Sequence, residues 1–428
     1  MSQKKNPELE ELSRKAESVL EGVFREYDRL AYANTEKVME AFAVYRVSDT
    51  MFAGSTGYGY GDTGRDALDG IYARVFGAEK AIVRHSIVNG TQALTIGLFG
   101  LLRPGDCLLS ITGRPYDTLR EVIGDDISEG NGSLRDFGVH YREISLTEEG
   151  KIDLPAVREV LLREEGHVRV VFLQRSRGYL DRPSLSVEAI KEAVQVIRAC
   201  SSAFIMVDNC YGEFTEASEP AAVGADLVVG SLIKNPGGGM AESGGYLTGS
   251  ARAVELAGYR LTSPGTGTEV GATLGSTRSL MKGLFFAPHV VAQALKTAAF
   301  AAYIFEALGY EVSPCWNVSR SDIIQTVRCG SPESLCAFCR GIQAGSPVDA
   351  FVVPEPWNMP GYSDSVIMAA GTFVQGASIE LSADGPLRPP YTAFFQGGLT
   401  YESGKYGVLH AAEEMLKTGA SGMRRPSV

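Results

Sequence analysis

Strand-like runs alternate with helical ones through the middle of the chain, and this pattern restricts the fold more than any other feature. The runs AIVRHS, CLLSI, VHYREIS and VRVVFLQ are separated by helical stretches at 91–102, 116–123 and 153–164. A helix at 186–200 then leads to AFIMVD, DLVVGS and GGYLTG. Short apolar runs spaced by helices form a mostly parallel sheet covered on both faces, because a parallel connection needs a crossover. The expected fold is α/β, with a mostly parallel seven-stranded sheet.

Apolar residues Leu9, Leu12, Ala16, Val19, Val23, Tyr27 and Leu30 recur at helical spacing, and a second helix is expected from Thr35 to Tyr45 with Asn34 as its cap. GSTGYGYGDTG (54–64) carries five glycines in eleven residues and must be a shaped loop. The helix that follows, 65–76, stops at Gly77. A long helical stretch after Pro288 leads to GYEVSP, SDIIQTVRC and a remainder rich in proline and glycine. The division expected is an N-terminal helical segment (1–50), a large domain (51–287) and a smaller C-terminal α+β domain (288–428).

The 428 residues, 44% of them hydrophobic, suffice for a large core. A formal charge of −11 does not favour a nucleic-acid or anionic-membrane partner. With a charged N-terminus and no run of eighteen apolar residues, a cytoplasmic location is expected. Seven cysteines without a signal segment point to reduced thiols. Cys336 and Cys339 form a C-x-x-C within an amphipathic helix, but no second pair completes a zinc site, so no metal is expected.

Ligands in such sheets bind beyond the carboxyl ends of the strands. Asp208 ends AFIMVD, and Lys234 follows DLVVGS, which places both at the same end of the sheet. A lone strand-end lysine often only lays its stem along the sheet. Here the neighbours fit one cofactor, pyridoxal 5′-phosphate, whose aldehyde needs a lysine and whose ring nitrogen needs a carboxylate. Its phosphate needs backbone N–H groups at a helix start, which Gly90 and Thr91 of VNGTQAL supply. Ser231 could add a hydroxyl, glycines 237–239 allow close approach of backbone, and Tyr116 of GRPYDTL could stack on the ring.

Taken together, YGYGDTGRD, NGTQAL, GRPYDTL, VDNCYGEF, GSLIKNPGGG and RPPYTAFFQGGLTYE resemble the pyridoxal-phosphate enzymes of cysteine and methionine metabolism, in the branch of the methionine γ-lyases and aluminium-resistance proteins. The resemblance runs from about residue 50 to 410. It implies the aspartate-aminotransferase type fold (fold type I), and a carbon–sulfur lyase that releases a 2-oxo acid and ammonia from a sulfur amino acid. It also implies Lys234 as the Schiff-base lysine, Asp208 as the pyridinium partner, Tyr116 as the stacking ring, and Gly90, Thr91 and Ser231 as phosphate contacts. Arg388 would take the substrate carboxylate, with Tyr58 beside the substrate. Tyr60 or Arg65 would reach the phosphate of a partner subunit, giving a homodimer with shared sites, assembled further as a tetramer.

Two departures stand out. Ile233 replaces the hydroxyl residue that the wider family often has before the lysine, and Tyr58, Tyr60 and Arg65 are spread through the glycine loop. Two other enzyme readings are a transferase and a γ-eliminase acting on a non-sulfur amino acid. A protein that binds the cofactor without catalysis has no appended recognition element to support it. A dehydrogenase reading rests on GYGDTG (59–64), which matches G-x-G-x-x-G but lacks the preceding strand that a dinucleotide loop requires.

Overall fold

In a computed structural model that describes residues 6–125, 130–164, 166–359 and 364–418, the seven apolar runs form one sheet. Its strands are β1 (Lys80–Arg84), β2 (Cys107–Ser110), β3 (His140–Glu143), β4 (Val168–Gln174), β5 (Phe204–Asp208), β6 (Leu227–Ser231) and β7 (Gly245–Gly249). They lie in the order β1-β7-β6-β5-β4-β2-β3. From β3 to β6 every pairing is parallel, and β7 runs antiparallel to both β6 and β1. The chain moves outward from β2 to β3 and then returns to the other side of β2 as β4. A crevice opens at such a reversal.

The helices are α1 (Pro7–Val44), α2 (Thr63–Phe76), α3 (Gly90–Leu101), α4 (Asp117–Ile123), α5 (Leu154–Arg163), α6 (Val187–Cys200), α7 (Ala251–Leu261), α8 (Thr277–Ala307), α9 (Pro332–Ala344) and α10 (Tyr401–Lys417). Side chains alternate across the sheet with period two. Val170, Phe172, Met206, Leu227 and Val229 pack with Leu94 and Leu98 of α3 and with Val254 and Ala257 of α7 in one core cluster. The intervening residues Val171, Leu173, Ile205, Val207 and Val228 point the other way and are equally buried. Two covered faces explain why these strands read as continuous apolar runs.

The chain divides into two units, Asn34–Phe286 and Met1–Ala33 with Ala287–Val428. The second contains an antiparallel sheet of β8 (Glu311–Ser313), β9 (Gln325–Arg328), β10 (Val366–Ala369), β11 (Ser382–Pro386) and β12 (Thr392–Gln396), in the order β10-β11-β12-β9-β8. Both ends of the chain build this unit. Glu17 of α1 accepts hydrogen bonds from Tyr401 (3.1 Å) and Lys405 (2.6 Å), and Phe24 meets the Tyr401 ring edge-on at 5.0 Å.

Two helix boundaries differ from the sequence expectation. A single α1 runs from Pro7 to Val44, with no break for a second helix at Thr35. Asn34 is buried and donates through Nδ2 to the carbonyls of Phe214 and Glu216, each at 3.2 Å, so its amide makes tertiary contacts and caps nothing. Helix α8 starts at Thr277 and continues through Pro288. Proline removes one i→i−4 bond there, and burial of 78% of the helix's most apolar window keeps the helix intact. By length and composition alone α8 could cross a membrane, but that burial is the pattern of a core helix. Cys336 and Cys339 lie buried on α9 as free thiols, and no metal-ligating cluster occurs among the described residues.

Packing of α3 on α7 gives the first prediction. A Cβ at Gly100 would fall 2.9 Å from Ala257 Cα and 3.0 Å from Leu256 O, both backbone atoms of α7. Helix propensity alone favours Gly100→Ala by ~1 kcal/mol. Overpacking against backbone that cannot yield costs ~1–3 kcal/mol and outweighs it. Gly100→Ala should therefore lower the urea midpoint; a higher midpoint would show that α7 moves aside.

Candidate active site

The parallel strands end at a common edge. Register pairs Gln174 at the end of β4 with Asp208 at the end of β5, and Asp208 with Val229 on β6, two residues before Ser231. Lys234 comes three residues later in the turn beyond β6. Asp208 is buried, and its carboxylate accepts from the backbone N–H of Cys210 at 3.1 Å. Burial raises its pKa, and the nearby Lys234 ammonium opposes that rise. For Lys234, burial disfavours the charge while Cys210, Tyr211 and Asp208 favour it, and the balance lies well above a lysine's ordinary value. Of these three neighbours only Asp208 is a carboxylate.

The start of α3 faces the same crevice. Asn89 caps the helix by accepting from the N–H of Gln92 at 2.8 Å, which leaves the N–H groups of Gly90 and Thr91 without acceptors among the described residues. A Cβ at Gly90 would sit 3.3 Å from Cys210 Sγ and 3.5 Å from Ser231 Cβ, so Gly90, Cys210 and Ser231 converge. Tyr116 is held at both ends. Its backbone N–H donates to Gln174 Oε1 at 2.9 Å, and its hydroxyl lies 2.9 Å from Thr91 Oγ1. Burial and the neighbouring Asp208 push its pKa up, so it remains a phenol.

The structure thus brings Lys234, Asp208, Tyr116, Gly90, Thr91 and Ser231 together. It places the other candidates differently. Arg65 is only 1% exposed and turns into its own chain, where it donates to the carbonyls of Gly59 (2.7 Å) and Gly271 (3.3 Å) and pairs with Asp66. Its guanidinium braces the glycine loop. Tyr58 and Tyr60 are 75% and 67% exposed, with rings stacked at 5.7 Å. Arg388 belongs to the other unit, where its guanidinium donates to Asp364 at 2.9 Å.

Several residues around the crevice escaped the sequence reading. Arg175, fully buried, donates to Asn209 Oδ1 (2.8 Å) and Glu216 (2.7 Å) and pairs with Glu219 at 3.5 Å. Glu213 is also fully buried. It accepts from the Tyr246 hydroxyl at 2.8 Å through Oε1, and its Oε2 has no partner. Asn235, next to the lysine, donates to the carbonyls of Tyr211 and Glu213, each at 3.0 Å. Tyr211 sets its ring centroid 3.9 Å from Lys234 Nζ. The sequence signal for Tyr211 and Glu213 was position, since NCYGEF directly follows Asp208, and Asn235 directly follows Lys234.

Comparison with known proteins gives the fold and the family. A pyridoxal-5′-phosphate dependent protein of Escherichia coli, YhfS, is 17% identical with a TM-score of 0.60, over 92% of this chain and 97% of that one. The fold is that of the fold-type I pyridoxal-phosphate enzymes. A family model described as methionine gamma-lyase matches residues 9–416, and the chain belongs to that family. A crystal structure of a carbon–sulfur lyase involved in aluminium resistance from Clostridium novyi NT is 47% identical with a TM-score of 0.92, over 96% of both chains. An uncharacterized protein of Bacillus subtilis strain 168, YnbB, is 49% identical over 96% of this chain and 97% of its own length.

Glu213 yields a pH prediction. Burial pushes its carboxyl up to about 8 from 4.5, with the Tyr246 hydrogen bond and Lys234 pulling the other way. A raised carboxyl pKa means that the folded protein holds this proton more tightly than the unfolded chain does. Its contribution to stability is complete below 4.5 and is lost as pH rises toward about 8. Glu213→Gln keeps the neutral shape and does not ionise. The variant should gain on the parent by at most ~1.4 kcal/mol per pH unit across that window. Parallel stability curves from urea titrations would mean that Glu213 ionises alike in both states.

Proposed function

We propose that the chain is a pyridoxal-phosphate-dependent carbon–sulfur lyase, which releases a 2-oxo acid and ammonia from a sulfur-containing amino acid. The observation that carries this reading is the Lys234–Asp208 pair beside the two unmatched N–H groups at the start of α3. The residues present fit the cofactor. Gly90 leaves a cradle that a side chain would fill, its N–H and that of Thr91 await an anion, and a lysine and a carboxylate stand at the same edge. The family match and the Clostridium novyi relative support sulfur chemistry.

The cofactor, when bound, supplies the electron sink for a bond breaking at the substrate α-carbon. The chain's own residues do the rest. Lys234 would hold the group through Nζ and, once displaced by the substrate amine, take the α-proton at that atom. Asp208, buried and near Lys234, would hold a proton on the ring nitrogen. Gly90, Thr91 and Ser231 would anchor the phosphate with N–H and hydroxyl donors. Tyr116, fixed by Gln174 and Thr91, supplies a flat face and a phenolic proton. Arg388 would exchange Asp364 for the substrate carboxylate, a bidentate partner suited to a guanidinium. The exposed Tyr58 and Tyr60 suit a loop that meets a second copy, so the working form is proposed as a two-fold dimer.

The test begins with the purified protein. It should be yellow or turn yellow with added pyridoxal phosphate, and borohydride should fix the group on the Lys234 peptide. On a panel of cysteine, cystathionine, methionine and homocysteine it should release a 2-oxo acid from at least one. Lys234→Ala loses both anchor and base, so activity should fall by more than the roughly 10²–10⁴ that a general base supplies. No label on Lys234, or no product from any member of the panel, would end the proposal. Separately, Arg388→Leu should raise KM for every amino-acid substrate while cofactor absorbance stays normal; an unchanged KM moves the carboxylate site elsewhere.

A further inference from the structure

The residue against Lys234 is built in an unusual way. Tyr211 has φ 73°, in the left-handed region that suits glycine and asparagine and strains a bulky residue. Strain of this kind persists only where the surroundings impose it. They do so here: the Asn235 side chain holds the Tyr211 carbonyl at 3.0 Å, and the N–H of Gly212 donates to the Asn209 carbonyl at 2.9 Å. Asn209 is itself gripped by Arg175. Asn235 directly follows the lysine, so one buried amide fixes the tyrosine relative to Lys234. The outcome of this bracing is a side chain whose ring centroid lies 3.9 Å from Lys234 Nζ and whose hydroxyl also hydrogen-bonds the lysine.

We propose that the face of the Tyr211 ring is the surface on which Lys234 carries its positive charge, which makes Tyr211 a positioning residue for that lysine. Aromatic faces attract ammonium groups through the ring quadrupole, more strongly where water is excluded. The inference deepens the lyase reading and rests on it for its catalytic meaning. When Lys234 takes the substrate α-proton, a C–H bond breaks, an N–H bond forms and Nζ becomes an ammonium, while the electron pair stays on the substrate side. The ring favours the lysine in that protonated state and holds Nζ where it can return the proton. Other titratable groups facing Lys234 are Asp208 at the end of β5 and Cys210 and Glu213 in the loop beyond it.

The test reads the lysine directly, in full-length protein freed of cofactor. The rate of Lys234 modification by trinitrobenzenesulfonate is followed against pH by peptide mass spectrometry, for the parent, Tyr211→Phe, Tyr211→Leu and Tyr211→Asn. Asparagine tolerates positive φ, so it keeps the comparison alive should the leucine variant fail to fold. Tyr211→Phe retains the face but loses the hydroxyl's hydrogen bond to Lys234, so it should titrate between the parent and the variants without a ring. The variants without a ring should titrate lower by roughly half to one and a half pH units, the range expected of a cation on an aromatic face. Leucine and asparagine variants that titrate with the parent overturn the proposal. So does a phenylalanine variant that shifts as far as they do, because the hydroxyl and not the face would then hold the charge. A lysine that shifts as expected yet takes up no pyridoxal phosphate leaves this pairing standing and removes the lyase reading.

Discussion

Asp208 is withdrawn from water and Lys234 partly so, and much of the large unit is arranged so that each has the other's charge nearby. An isolated buried ion costs several kcal/mol even after relaxation, and an opposite charge in good geometry offsets this. The parallel register of β5 and β6 ends both strands at one level, so the Asp208 carboxylate and the Lys234 ammonium face the same edge and each feels the other's charge. Asn235 ties the lysine turn to the loop after the aspartate, so the two segments cannot separate. The placing of Asp208 and Lys234 thus depends first on strand ends and then on one amide.

The other buried acids nearby are each answered differently. Glu219 has Arg175 as its counter-ion, while Glu213 has no cation in contact and keeps a proton instead. Cys210, whose pKa burial pushes well up, packs against Gly90. This sorting leaves Asp208 as the carboxylate that answers Lys234. A crevice with one fixed anion and one fixed cation suits a cofactor that needs a carboxylate at its ring nitrogen and an amine at its aldehyde.

How much of this could be read in the sequence depended on how local the cause was. The sheet was legible because Val170 to Leu173 and Ile205 to Val207 are apolar without interruption, the mark of strands buried on both faces. Asp208, Lys234 and Gly90 were legible because each stands directly after a strand or at a helix start. Arg65 was not: the Gly271 carbonyl it reaches lies 206 residues away, and no spacing in the glycine loop announces that contact. Asn34 misled for the same reason, since its partners lie 180 and 182 residues on and leave α1 unbroken. Tyr211 looked like one more residue in a resembling motif. Its importance comes from a backbone angle and from Asn235, neither of which a sequence displays.

The way both chain ends build one unit also bears on how the protein is made. Glu17 meets Tyr401 and Lys405 across 384 and 388 residues, and the contiguous stretch Asn34–Phe286 forms the other unit by itself. At roughly 5–20 residues per second, a ribosome needs about twenty seconds or more to reach Tyr401 after Glu17. Through that time Leu9, Ala16 and Leu20, buried in the finished protein, have no C-terminal segment to cover them. These residues are made long before the ones that house them, and the nascent helix must be shielded or kept loose until Tyr401 and Lys405 have followed.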